Sequence, residues 1–165
     1  MEFEDRAKPN SVQFVLLHHT LPDDCMRKSH WDLMIEAGDF LLTFELQSLP
    51  GNLLGSARVD WPVTRLADHR RHYLNYEGVI APSAQADSQN ASSASPEPAG
   101  NRGSVRRIAA GTAMCRIAQP EGLVHCQLRS AELSADFYYT ACRVGEVTQL
   151  RIDSWHWTTD SRSLE

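Results

Sequence analysis

Residues 40–47 alternate strictly: Phe40, Leu42, Phe44 and Leu46 interleave with Leu41, Thr43, Glu45 and Gln47. A period of two is the mark of a β-strand. Gly38-Asp39 stands between this run and residues 31–36, which is a hairpin signal. The pattern recurs along the chain. Residues 14–17 (Phe-Val-Leu-Leu) form a short apolar run, 124–129 and 149–157 alternate, and 136–144 are aromatic and β-rich. Residues 103–108 and 112–117 flank Ala109-Ala110-Gly111, which reads as a turn. A brief helix fits near residues 68–73. Short strands separated by Gly and Pro predict a mainly β fold: a single closed antiparallel β-barrel with short helical or loop segments.

At 165 residues the chain has room for one ordinary domain. Residues 83–101 contain only Ser, Ala, Gln, Asp, Asn, Pro, Glu and Gly. Such a stretch buries too little apolar area to offset its ordering entropy, so a disordered insert is expected there. The domain is then 12–158, with flexible tails at 1–11 and 159–165. The net charge of −5 argues against a basic nucleic-acid coat. No apolar run is long enough to span a bilayer. The first residues are acidic and carry no signal-peptide pattern. Cys25, Cys115, Cys126 and Cys142 have no C-x-x-C spacing. They read as reduced thiols of a cytoplasmic, monomeric protein.

Two polar clusters carry the chemistry. The first is His18-His19 followed by His30-Trp31-Asp32-Leu33-Met34-Ile35-Glu36. On a strand, His30, Asp32, Met34 and Glu36 share one face. An imidazole and a carboxylate two residues apart can grip one metal ion, and His19 (or its neighbour His18) would complete a two-His, one-carboxylate set. The second cluster, residues 65–78, concentrates Arg65, His69, Arg70 and Tyr73 with further basic and aromatic groups. Guanidinium groups clasp phosphate, and His and Tyr can add hydrogen bonds or move protons. Arg102, Arg106 and Arg107 form a weaker basic group. Arg106 and Arg107 are adjacent, so at most one faces a shared site. H-x-D with a distant histidine is also an iron-ligand pattern of jelly-roll dioxygenases, with His125 as the candidate third ligand. Phe137, Tyr138, Tyr139, Trp155 and Trp157 read as barrel aromatics.

The order H-H, H-W-D-L-M-I-E, R-L-A-D-H-R-R-H-Y-L-N-Y-E-G and G-N-R-G-S-V-R-R-I-A-A-G-T resembles the 3′-phosphoesterase domain of bacterial DNA ligase D, and more closely its short stand-alone relatives. The resemblance spans about residues 14–155. It implies a closed β-barrel that removes 3′-terminal phosphates and ribonucleotides at DNA ends in non-homologous end joining. It implies a divalent metal, manganese foremost, with zinc or cobalt as alternatives. By position, His19, His30 and Asp32 match the metal ligands. Arg65, His69 and Tyr73 match the catalytic, phosphate-contacting group, and Arg70, Arg102 and Arg106 are candidate phosphate or nucleic-acid contacts. The implied partners are DNA or RNA-tailed DNA 3′ ends, with a ligase or polymerase acting in trans. Three departures stand out. Residues 22–29 lengthen the gap before H-x-D and are expected to loop over the site. Met34 replaces a family arginine, and Ala67 replaces an acidic residue. Met34 opens the alternative of a relative that binds ends without turnover.

Overall fold

Alternating sequence becomes strand almost wherever it occurs. The structure, a computed structural model, describes residues 11–53, 58–80, 102–118 and 122–158. Its strands are β1 (Ser11–Thr20), β2 (His30–Ala37), β3 (Phe40–Leu46), β4 (Val59–Arg70), β5 (Gly78–Val79), β6 (Ser104–Ala118), β7 (Leu123–Ser130), β8 (Leu133–Thr140) and β9 (Val147–Trp157). One 3₁₀ turn, Arg71–Leu74, follows β4. The strands run β1-β2-β3-β4-β9-β8-β7-β6, every neighbour antiparallel, and β1 closes the ring against β6. The expected closed barrel is therefore present, with β5 outside it on the free edge of β6. No helix among the described residues is long and apolar enough to cross a membrane.

Four local expectations change. Residues 109–111 are not a turn: β6 runs through them and pairs with β1 on one edge and β7 on the other. Their small side chains serve close packing. A Cβ on Gly111 would lie 2.2 Å from the Arg129 carbonyl oxygen. The helical turn falls on Arg71–Leu74, because Asp68 to Arg70 stay in β4. The strand expected over 136–144 begins earlier and stops at Thr140. Ser11, assigned to a tail, opens β1. The expected insert at 83–101 and the rest of the tails lie outside the described residues.

The barrel packs on both sides of β1, β2 and β3. Phe14, Leu16, Leu33, Phe44, Leu128, Phe137 and Trp155 belong to the interior cluster. Val15, Leu17, Met34 and Leu41 point the other way and pack under Tyr73, Leu74 and Ile80, with Val105 from β6. Alternation alone would leave this second face in water. Covering it is worth roughly 1.5–3 kcal/mol per large side chain, which fastens residues 71–80 over the sheet.

The return of the chain into β6 depends on Gly103. Its φ is +78°, and a Cβ there would lie 2.0 Å from the Thr20 carbonyl oxygen. Its own carbonyl accepts from the Ile80 amide at 2.9 Å. Gly103→Ala combines left-handed strain with a backbone clash. It is expected to lower stability by at least ~1–3 kcal/mol in chemical denaturation, as a shifted midpoint.

Candidate metal centre

Register builds the site. His19 lies opposite His30, and Leu17 opposite Asp32, across β1 and β2. His19, His30 and Asp32 therefore share the outer face of the sheet, at the end of the second packed layer. One ligand atom from each lies within 4.8 Å of the others. His30 and Asp32 are buried and His19 is half-buried.

Backbone carbonyls set both imidazoles. His19 Nε2 donates to the Arg102 carbonyl at 2.7 Å, and His30 Nδ1 donates to the Lys28 carbonyl at 2.8 Å. A carbonyl can only accept, so each ring must carry its proton on that nitrogen when neutral. The lone pairs then sit on His19 Nδ1 and His30 Nε2. These atoms face Asp32 Oδ2 at 3.6 Å and Asp32 Oδ1 at 3.4 Å. Asp32 Oδ1 is buried and has no hydrogen-bond partner. Two lone pairs turned toward a buried carboxylate repel unless a cation lies among them. The donor set suits a borderline divalent ion such as Mn²⁺, Zn²⁺ or Co²⁺, and the carbonyl-held rings are the outer shell such ligands need.

A proton can also satisfy the cluster. Burial pushes the Asp32 carboxyl up, but hydrogen bonding and charge from His19 and His30 prevail and hold it well below the ordinary carboxylate range. Burial disfavours charged His30, yet hydrogen bonding and charge from Asp32, helped by Lys28 and Glu45, raise its pKa above the usual value.

The structure adds Glu45. It sits directly opposite Asp32 on β3, with Oε2 3.8 Å from His30 Nε2. Its carboxylate accepts from Gln47 and is ion-paired with Arg27, in the loop that joins β1 to β2. The extra residues 22–29 thus close onto the edge of the site through Arg27. The hairpin signal held this information: a turn at Gly38-Asp39 places Asp32 opposite Glu45.

The second sequence cluster divides. His69 lies opposite Leu41, on the outer face, and its ring meets Tyr73 with centroids 5.5 Å apart. Tyr73 is packed in one layer with Met34 and Leu41. Met34 therefore stands between the metal cluster and the His69–Tyr73 pair. Leu41 pairs with Glu36, four residues along β2 from Asp32, so His69 stands roughly 13 Å further along the sheet. Arg65 does not join them. It lies opposite Phe44 and shares the interior face, with its guanidinium on Asp68 and on the carbonyls of Leu66 and Thr43. A shift in β4 pairing between Thr43 and Leu41 puts Arg65 and His69 on opposite faces. Arg70 is exposed and pairs with Phe40.

Of the third group, Arg102 borders the cluster through its carbonyl. Arg106 lies opposite His18, whose ring stacks on Trp31 at 4.7 Å, on the face away from Asp32. His18 is thereby excluded from the cluster. Arg107 is the arginine on the metal side: it lies opposite Leu17, which in turn lies opposite Asp32. It donates to the Leu74 carbonyl at 3.2 Å, and its Nε is ion-paired with the Glu77 carboxylate at 3.8 Å. His125 is two strands from β1, accepts from Arg116 at 3.2 Å and stacks on Tyr138. It cannot complete an iron site with His30 and Asp32. No protein-family model matches the chain, and no curated protein is detectably similar.

Two outcomes test the centre. Calorimetric titration with Mn²⁺ should show one site, weakened at least ~100-fold in His30→Ala and Asp32→Asn, since losing merely an outer partner costs ~10–100-fold. The pH dependence carries a sign. The raised His30 pKa gives stability that is full below 6.5 and lost as pH climbs through the raised value. The depressed Asp32 pKa gives stability present above 3.8 and lost as pH falls through the depressed value. The metal-free cluster is thus most stabilising between 3.8 and 6.5. Metal needs neutral His30, so affinity should rise with pH over the range where metal-free stability falls. Thermal melts of wild type and Asp32→Asn across that range, with and without Mn²⁺, check both.

Proposed function

We propose that the protein is a metal-dependent phosphoesterase acting on the 3′ ends of DNA or RNA-tailed DNA, a stand-alone relative of the DNA ligase D phosphoesterase domain. The observation that carries this reading is the largely buried His19–His30–Asp32 cluster, whose carbonyl-held rings turn their lone pairs toward an unpartnered carboxylate oxygen. Those three residues would hold the ion. A divalent ion supplies charge neutralisation at the phosphate and makes water more acidic.

The remaining steps belong to the chain. Glu45 adds a second carboxylate beside His30, held by Arg27. His69 donates Nδ1–H to the Ala67 carbonyl at 2.9 Å, which leaves Nε2 as its working nitrogen. Protonated there, and roughly 13 Å along the sheet from His19, His30 and Asp32, it can donate to a backbone phosphate of the bound strand next to the end being processed. Tyr73 holds the ring in place. Arg107, on the metal side of the sheet, supplies the guanidinium for the phosphate in place of Arg65. A cytoplasmic protein of this kind would pass its cleaned 3′-hydroxyl ends to a ligase or polymerase in trans.

Met34 favours a second reading, in which the protein binds ends without turning them over. Its thioether is buried where the resembled family has an arginine. Losing one such transition-state contact costs ~2.7–4 kcal/mol, or ~10²–10³ in rate.

The test is a 3′-phosphorylated primer–template with Mn²⁺. Phosphate release should be lost in His30→Ala, whereas His69→Ala should raise KM for the nucleic-acid end, with unchanged melting of the His69 variant. Arg107→Ala should raise KM, whereas Arg65→Ala should mainly lower thermal stability. Tight end binding by well-folded wild type without phosphate release would select the second reading. Neither binding nor release would overturn both.

A further inference from the structure

Cys115 and Cys126 are separated by ten residues in sequence but stand directly opposite each other on β6 and β7. Their sulfur atoms are 2.8 Å apart, joined by a hydrogen bond, and both are free thiols. Opposed residues on antiparallel strands have Cα atoms ~4.5–5.5 Å apart. A disulfide spans Cα separations of ~4.4–6.8 Å, so the backbone already meets its requirement. Both side chains point into the barrel, Cys126 fully buried and Cys115 half-buried at the edge of the interior cluster.

We propose that Cys115 and Cys126 form a peroxide-oxidisable dithiol, with Cys115 as the attacking sulfur and Cys126 as the resolving one. The assignment follows exposure: a small hydroperoxide can reach Cys115, while Cys126 is reached only through its neighbour. The hydrogen bond from Cys126 also draws the Cys115 pKa down, whereas that bond and burial push Cys126 up. The Cys115 thiolate attacks one peroxide oxygen and breaks the O–O bond, giving a sulfenic acid and, after protonation, water. The Cys126 sulfur then attacks the Cys115 sulfur, the S–O bond breaks, and the departing hydroxide takes the Cys126 proton as a second water. Two thiols lose one electron each, and one hydrogen peroxide gains two. The product pins β6 to β7 and needs no rearrangement of the strand register. Arg107, beside the metal cluster, is eight residues from Cys115 along β6, roughly 26 Å, so the inference is independent of the proposed function.

The experiment treats the full-length protein with hydrogen peroxide, alkylates under denaturing conditions and maps tryptic peptides without reductant. The expected product is a cross-link between peptides 108–116 and 117–129, lost on adding dithiothreitol, with an upward shift in melting temperature and unchanged Mn²⁺ binding. In Cys126→Ser, dimedone should trap a sulfenic acid at Cys115. In Cys115→Ser, Cys126 should remain an alkylatable thiol. Recovery of both cysteines as alkylated thiols, or of Cys115 as an over-oxidised acid with no cross-link, overturns the proposal. The wild-type map decides the matter should either variant fail to fold.

Discussion

Pairing of β1 with β6 underlies everything else in this protein. The first described strand runs alongside β6 from Ser11 to Thr20 and turns an open sheet into a ring. Closure removes the two exposed edges that would otherwise invite association, and it gives each strand an inside and an outside. β6 can do this because it is long and small in its middle. Ala109 and Gly111 let β1 and β7 approach it from either side, and the register shift beside Leu16 and Leu17 absorbs the bend.

The candidate site is a consequence of the outside being buried too. β1, β2 and β3 carry apolar residues on both faces, and residues 71–80 cover the outer one. This second layer lowers the local dielectric around Asp32 and keeps water from its unpartnered oxygen. A carboxylate is tolerated there because the imidazoles of His19 and His30 face it and can share a positive charge with it. The same layer fixes Tyr73, and through it His69, at a set distance from the His19–His30–Asp32 cluster. Met34 is the apolar floor between them.

Much of this was legible from sequence, and the reason is period two. Alternation places His30, Asp32 and Met34 on one face without any tertiary information, and the turn at Gly38-Asp39 fixes which β3 residue faces each of them. The split between Arg65 and His69 was not legible. A one-residue irregularity in pairing moves a side chain to the opposite face, and nothing in residues 65–69 announces it. The turn read into Ala109-Ala110-Gly111 failed for a related reason. Small residues signal either a bend or a close approach, and only the neighbouring strands distinguish the two.

By itself, the sequence determined the strand content, the barrel class and the pairing of an imidazole with a carboxylate on one strand face. These follow from local periodicity, which is a property of the backbone. Only the tertiary structure decided which arginine shares a face with His19, His30 and Asp32, that Glu45 and Arg27 border them, and that Cys115 meets Cys126. Such contacts depend on register between strands distant in the chain. Register is set by the packing of the whole ring and not by any segment's own pattern.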